Sequence, residues 1–209
     1  MSTQGGIQMF QPWLRPTRLV VLLLCLACSA SWGTTHKSKK WEMLTGCRYV
    51  ASPSNDGDSF RVRCGDKEFI LRLYFVDAPE TNLTYPERTN EQAEYFGARL
   101  DQTMKAGKEA ADLVRETLET PFTVWTRRAS AGGRSKERRY YALVQVNHAW
   151  LDEMLVSKGL ARRKGVITNL PDGENWREHA DRLDALVAEA KKQRLGACAG
   201  HRQRRNREE

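Results

Sequence analysis

Asp56-Gly57-Asp58-Ser59-Phe60-Arg61-Val62-Arg63-Cys64 and, after the turn at Gly65-Asp66-Lys67, Phe69-Ile70-Leu71-Arg72-Leu73-Tyr74-Phe75-Val76-Asp77-Ala78-Pro79-Glu80 decide how this chain folds. The first run alternates. Phe60, Val62 and Cys64 share one face and Arg61 and Arg63 the other, which is the period of a half-buried strand. The second run is mostly apolar, the pattern of a strand covered on both sides. Asp58 and Asp77 stand at the ends of these runs, where carboxylates supply the hard oxygen ligands that Ca²⁺ takes. Arg72, inside an apolar strand, is expensive to bury without an anionic partner. With Glu80 three residues beyond Asp77, the set points to a metal-plus-arginine site for a phosphate.

Working outward, strand signals upstream run from about Gly46 to Ala51, so three strands form a meander with the acidic residues at one end. Downstream, Pro79 ends the strand region and Asn82 to Asn90 reads as a polar loop, with Asn82-Leu83-Thr84 formally a glycosylation sequon. Glu91 to Met104 has a weakly amphipathic helical pattern. A better one follows Gly107, with Ala110, Ala111, Val114 and Leu118 at helical spacing. Phe122 to Thr126 is a fourth strand, Ala129 to Arg134 a small-residue loop, and Tyr140 to Val146 a fifth strand. Trp150 to Lys158 is a short helix stopped by Gly159. Asn169 to Gly173 is a turn, and Trp176, Ala180, Leu183, Val187 and Ala190 mark a last helix. The expected class is α+β: a five-stranded Greek-key barrel of the OB type with about three flanking helices.

The 209 residues are compatible with one domain, and 40% apolar content suffices for a packed core. Arg15 and Arg18 precede the apolar run Leu19 to Cys28, which is too short to span a bilayer comfortably. Small residues follow, which places cleavage after Ala30 or Gly33. Residues 1–33 are therefore read as a secretory signal peptide, residues 34–45 as a linker, 46–198 as the domain and 199–209 as a basic disordered tail. Acylation at Cys28, and an uncleaved anchor, are the weaker alternatives. The expected product is a secreted or periplasmic monomer with no stable membrane span. Without the leader, 32 basic residues face 26 acidic ones, a net of about +6, which favours a polyanionic partner. Cys47, Cys64 and Cys198 remain. Cys47 and Cys64 flank the Asn55-Asp56-Gly57 turn as cross-strand neighbours would, so a Cys47–Cys64 bridge with Cys198 free is favoured over three buried thiols.

In the order Asp56-Gly57-Asp58-Ser59, Arg72-Leu73-Tyr74-Phe75-Val76-Asp77-Ala78-Pro79-Glu80, Arg139-Tyr140-Tyr141-Ala142-Leu143-Val144, Leu155-Val156-Ser157-Lys158-Gly159-Leu160-Ala161 and Ala190-Lys191-Lys192-Gln193-Arg194-Leu195, the chain resembles the staphylococcal nuclease (thermonuclease) family. The matching motifs span about Cys47 to Cys198. Asp-Gly-Asp alone is an ordinary turn. The fourteen-residue step from Asp58 to Arg72, followed by Val-Asp-x-Pro-Glu, is far more specific.

The resemblance implies roles residue by residue. Asp58 and Asp77 match the family's calcium-binding carboxylates, and Ala78 the residue that offers a main-chain carbonyl. Arg72 and Arg139 match the two arginines that hold the phosphate, and Glu80 the carboxylate that activates or orients the attacking water. The implied activity is that of a calcium-dependent, sugar-nonspecific endonuclease, a hydrolase cutting DNA and RNA at the 5′-oxygen side to leave 3′-phosphates. Taken singly, these residues have plainer readings: Asp56 and Asp58 as turn caps, Arg72 as a structural ion pair, Glu80 as a helix-start acid.

The chain also departs from the family pattern. Ala78 replaces a threonine, keeping the carbonyl and losing the hydroxyl. Arg138 stands where glycine is usual, and the distance to Tyr140–Val144 selects Arg139 over Arg138. Arg162-Arg163-Lys164-Gly165-Val166-Ile167 lacks the aromatic residues that contact substrate in the best-known member, so phosphate contacts by these basic residues are expected in place of stacking. The segment from Asn82 to Ala106 is longer. The competing function is a non-catalytic nucleic-acid-binding module on the same barrel. A surface adhesin would leave Asp58, Arg72, Asp77, Glu80 and Arg139 unexplained.

Overall fold

The computed structural model describes residues 40–132 and 137–201. The leader expected over 1–33 and nearly all of the basic tail lie outside the described residues. Five long strands carry the architecture: β1 Glu42–Val50, β2 Ser59–Cys64, β3 Lys67–Leu73, β5 Phe122–Ala131 and β6 Arg139–Val146, with the two-residue β4 Val76–Asp77 between the third and fourth. They pair antiparallel in the order β3-β2-β1-β5-β6, and β3 closes the sheet on β6 in parallel. That is the expected five-stranded OB-type barrel. Two short strands follow, β7 Ala149–Trp150 at the edge of β6, and β8 Arg162–Arg163, which pairs with β4. The barrel interior is filled by Phe60, Val62, Leu71, Leu73, Val124, Ala142 and Val144, all nearly or fully buried. These are the alternate positions of each strand, as the pleat requires.

β1 begins at Glu42, so residues 42–45 extend the strand into the segment expected as linker. Glu42, Met43 and Leu44 pair with Thr126, Trp125 and Val124 of β5, and this partner strand fixes where β1 starts. Arg48 faces Arg63 across β1 and β2, and one step further along Cys47 and Cys64 form a disulfide. The bridge read from the cysteine positions is present, and Cys198 is free and buried.

Among the described residues four helices surround the barrel: α1 Pro86–Phe96, α2 Leu100–Thr117, α3 Leu151–Ser157 and α4 Trp176–Gln193, with a 3₁₀ turn at Gly196–His201. The polar loop expected over Asn82–Asn90 is half helix, since α1 starts at Pro86. Proline fits the first turn because its missing N–H has no intrahelical partner there. The break falls at Gly97, in the left-handed conformation, and not at Gly107. Gly107 lies inside α2. A side chain there would sit 2.5 Å from the Pro79 carbonyl oxygen and 2.6 Å from that of Glu80. It lets the helix touch the backbone that carries Glu80, and spacing alone cannot tell such a glycine from a helix breaker. β5 likewise runs on to Ala131 through residues expected as loop, bulging at Arg128 (φ 52°) before it rejoins β6.

α3 and α4 are tied together by a buried histidine. His179 donates from Nε2 to Asp152 Oδ2 (2.6 Å) and accepts at Nδ1 from Arg182 (2.8 Å). Among the described residues no helix is long and apolar enough to cross a membrane.

Candidate functional site

The barrel closure places the two arginines. In the parallel β3–β6 pairing Arg72 faces Tyr141 and Ile70 faces Arg139. Arg72 and Arg139 therefore project from the same face, two residues apart in register. Ser59 faces Arg72 across β2 and β3, and its hydroxyl accepts from Arg139 NH1 at 3.1 Å. A second nitrogen of Arg139, NH2, donates to the Gly132 carbonyl at 2.9 Å, and Nε is buried without a partner. Arg138 is exposed. These groups line a groove of about 700 Å³ whose rim includes Asp56, Glu80, Arg88, Glu91 and Tyr141.

The carboxylates come from the two chain reversals. Asp56 is a turn cap: its Oδ1 accepts from the backbone N–H of Asp58 (3.0 Å) and of Ser59 (2.6 Å). Asp58 is different. It is 1% exposed, and its Oδ2 accepts from the Ala78 N–H at 2.8 Å. The turn can press this close because residue 57 is glycine; a Cβ there would meet those of Ala110 at 2.6 Å and Ala78 at 2.8 Å. At the other reversal Phe75 takes a positive φ of 65°. Such a conformation is costly for a bulky residue and needs firm packing around it. The Phe75 ring is buried, edge-on to His179, and its N–H donates to the Val166 carbonyl at 3.0 Å. This kink separates β4 from β3 and brings Asp77 to Arg72.

Arg72 spans both acids. NH1 lies 2.5 Å from Asp58 Oδ1 and NH2 lies 2.9 Å from Asp77 Oδ1. Burial works against its charge, but Asp58 and Asp77 outweigh it and hold its pKa above the ordinary arginine value. Asp77, 3% exposed, is met by four donors. Arg72 and Arg88 reach Oδ1, while Arg162 Nε (2.8 Å) and Gln92 Nε2 (3.1 Å) reach Oδ2. Burial alone would raise its pKa; Arg88, Arg72 and Arg162 reverse that and hold it below the usual carboxylate range. Asp58 goes the other way, pushed well above that range by burial, which Arg72 offsets only in part.

Glu80 is ion-paired to Arg88 Nε and its N–H donates to Gln92 Oε1 at 2.8 Å. Burial raises its pKa, against the pull of Arg88. Gln92 also donates to the Ala78 carbonyl at 2.9 Å, so one buried amide ties together Asp77, Ala78 and Glu80.

The structure thus gathers Arg72, Glu80 and Arg139 in one groove, with Asp58, Asp77 and Ala78 buried behind Arg72. It does not do so for the basic run after Ala161, where substrate contacts were expected. Arg162 is 3% exposed and paired with Asp77; Arg163 pairs with Asp184, and Lys164 with Glu91. The β4–β8 register sets Asp77 opposite Arg162 and turns it inward. Arg88 and Gln92 went unread in the sequence because they lie on a helix taken partly for loop. Their spacing of four residues on one helical face was the available signal.

Two carboxylates and a carbonyl can ligate a hard cation, and Asp58 Oδ1 is buried with no hydrogen bond of good geometry despite its ion pair to Arg72. Among the described residues no three His, Cys, Asp or Glu side chains form a metal cage. The chain matches the family model described as staphylococcal nuclease homologue over residues 70–197, a span that holds Arg72, Asp77, Glu80 and Arg139 and leaves Asp58 upstream. No curated protein matches the chain.

Proposed function

Since the chain belongs to the staphylococcal nuclease family, whose domains act as nucleases or nucleic-acid-binding modules, we propose that it is a calcium-dependent, sugar-nonspecific endonuclease. It would hydrolyse DNA and RNA at the 5′-oxygen side of the phosphodiester, leaving 3′-phosphates. The observation that carries this reading is the convergence of Arg72 and Arg139 with Glu80 in one groove, above the buried pair Asp58 and Asp77. A binding module needs basic residues but no buried acids behind them.

Asp58, Asp77 and the Ala78 carbonyl would hold the calcium. When bound, the ion polarises a phosphoryl oxygen and helps to place the attacking water. The chain's own groups do the rest. Arg72 and Arg139 present fork-shaped guanidinium groups to the phosphate and neutralise charge as phosphorus gains a fifth oxygen. Glu80 takes the proton of the attacking water; its raised pKa brings it nearer the working pH of a general base. Gln92 fixes Glu80 relative to Asp77 through its bond to the Glu80 N–H. The Cys47–Cys64 disulfide supports an oxidising location, secreted or periplasmic, reached through the leader, where the protein acts as a monomer.

One observation favours the binding-module alternative: the four donors on Asp77 already use the lone pairs that a calcium ion would need. Incubation of the protein with plasmid DNA and with RNA, in calcium and then in chelator, decides. Calcium-dependent loss of both polymers, with 3′-phosphate ends, is expected. Binding of both without cleavage in calcium would leave the module reading standing.

A further inference from the structure

Of the four donors on Asp77, three are fixed. Gln92 is fully buried and also holds the Ala78 carbonyl and the Glu80 N–H. Arg162 has 4% of its side chain exposed and is the register partner of Asp77. Arg72 is wedged between Asp58 and Asp77 with 16% exposed. Arg88 is the exception. Its side chain is 39% exposed, and it lines the groove from α1 while pairing with Asp77 and Glu80. α1 lies wholly inside the 82–106 segment, which none of the quoted family motifs covers.

We infer that Arg88 is an exchangeable guanidinium, competing with the cation for Asp77 and, when the cation displaces it, releasing Glu80 and moving to the substrate phosphate. The inference rests on the calcium-nuclease reading above. A cation entering beside Asp77 meets a positive charge already paired to the same oxygen, so Arg88 must weaken its affinity. Once freed, the guanidinium remains tethered to the wall of the groove that Arg72 and Arg139 line, where a phosphate offers it new acceptors. Cation and nucleic acid then favour one another, because each stabilises the arrangement that the other needs.

The test is calorimetric titration of calcium into the parental protein, Arg88→Gln and Arg88→Lys, each alone and with a phosphorothioate tetranucleotide. Glutamine removes the charge while keeping a polar, though shorter, side chain at a half-buried helix position, and melting curves check that the variants fold. Arg88→Gln is expected to bind calcium about tenfold more tightly than the parent, and Arg88→Lys about as the parent does. The tetranucleotide should tighten calcium binding to the parent, and do so much less for Arg88→Gln. Equal or weaker calcium binding by a folded Arg88→Gln, or undiminished coupling, overturns the role of Arg88 while leaving the nuclease reading intact. Absence of calcium binding by the parent overturns the metal reading itself, and the inference with it.

Discussion

Arg162 faces Asp77 across the β4–β8 pairing, its Nε 2.8 Å from the inner carboxylate oxygen, and both side chains are about 4% exposed. The pair divides the basic run after Ala161 into one buried structural residue and two at the surface.

Arg162→Ala is therefore expected to destabilise the fold by about 3–5 kcal/mol, the usual cost of removing one partner from a buried ion pair. Arg163→Ala and Lys164→Ala, whose partners Asp184 and Glu91 are exposed, should each change stability by no more than about 1 kcal/mol. Urea unfolding of the three variants separates these cases. Equal stabilities would mean that the Arg162–Asp77 pair does not hold the fold together.

Glu80→Gln should keep the fold and calcium binding and lower turnover by orders of magnitude, since an amide cannot take a proton from water. Arg72→Ala and Arg139→Ala should reduce kcat far more than they weaken binding, because their clamp tightens as charge develops on the phosphate. Steady-state kinetics against salt titration of binding checks both. Parental turnover by Glu80→Gln at saturating calcium rejects its role.

Asp58 gives a pH signature. Burial raises its folded pKa, so the stabilising contribution of its protonated form is complete below the unfolded value of about 4 and is lost as pH rises through the raised folded value. At neutral pH with chelator present, Asp58→Asn should melt at a higher temperature than the parent while failing to bind calcium. The gain should vanish towards about pH 4. Asp77 runs in the opposite sense: its lowered pKa gives stability present above the unfolded value and lost as pH falls through the folded one. Asp77→Asn should accordingly lower the melting temperature at neutral pH. A lower melting temperature for Asp58→Asn would contradict the desolvation argument.

The disulfide joins residues 17 apart and encloses the turn that carries Asp58. Replacing both Cys47 and Cys64 by serine should cost about 3 kcal/mol, the loop-closure value for a ring of this size. The Cys198 thiol is buried and its pKa is raised by that burial, so it should resist alkylation until the protein unfolds. Rapid labelling of Cys198 in native protein would refute its burial.

Local pattern was enough to read the middle of the barrel strands, but not the start of β1 or the end of β5. Phe60, Val62 and Cys64 alternate with Arg61 and Arg63, and the run from Phe69 to Val76 is nearly all apolar; both follow from which face of a pleat meets the core. The helices were less legible. Pro86 and Gly107 have opposite meanings depending on where a helix begins and what packs against it, and only the contact of α2 with the Pro79 and Glu80 carbonyls shows that Gly107 lies inside a helix.

The sequence by itself determined the candidate residues of the groove, because Asp58, Arg72, Asp77, Glu80 and Arg139 hold fixed positions relative to strand ends and turns. What surrounds Asp77 was decided only in three dimensions. Arg88 arrives from α1, Gln92 from one turn further along it, and Arg162 from a strand 85 residues away in the chain. An arginine in a basic run looks the same in sequence whether it faces water or a buried carboxylate. The β4–β8 register, fixed by long-range packing, turns Arg162 inward and leaves Arg163 outside, since adjacent residues of a strand point to opposite faces.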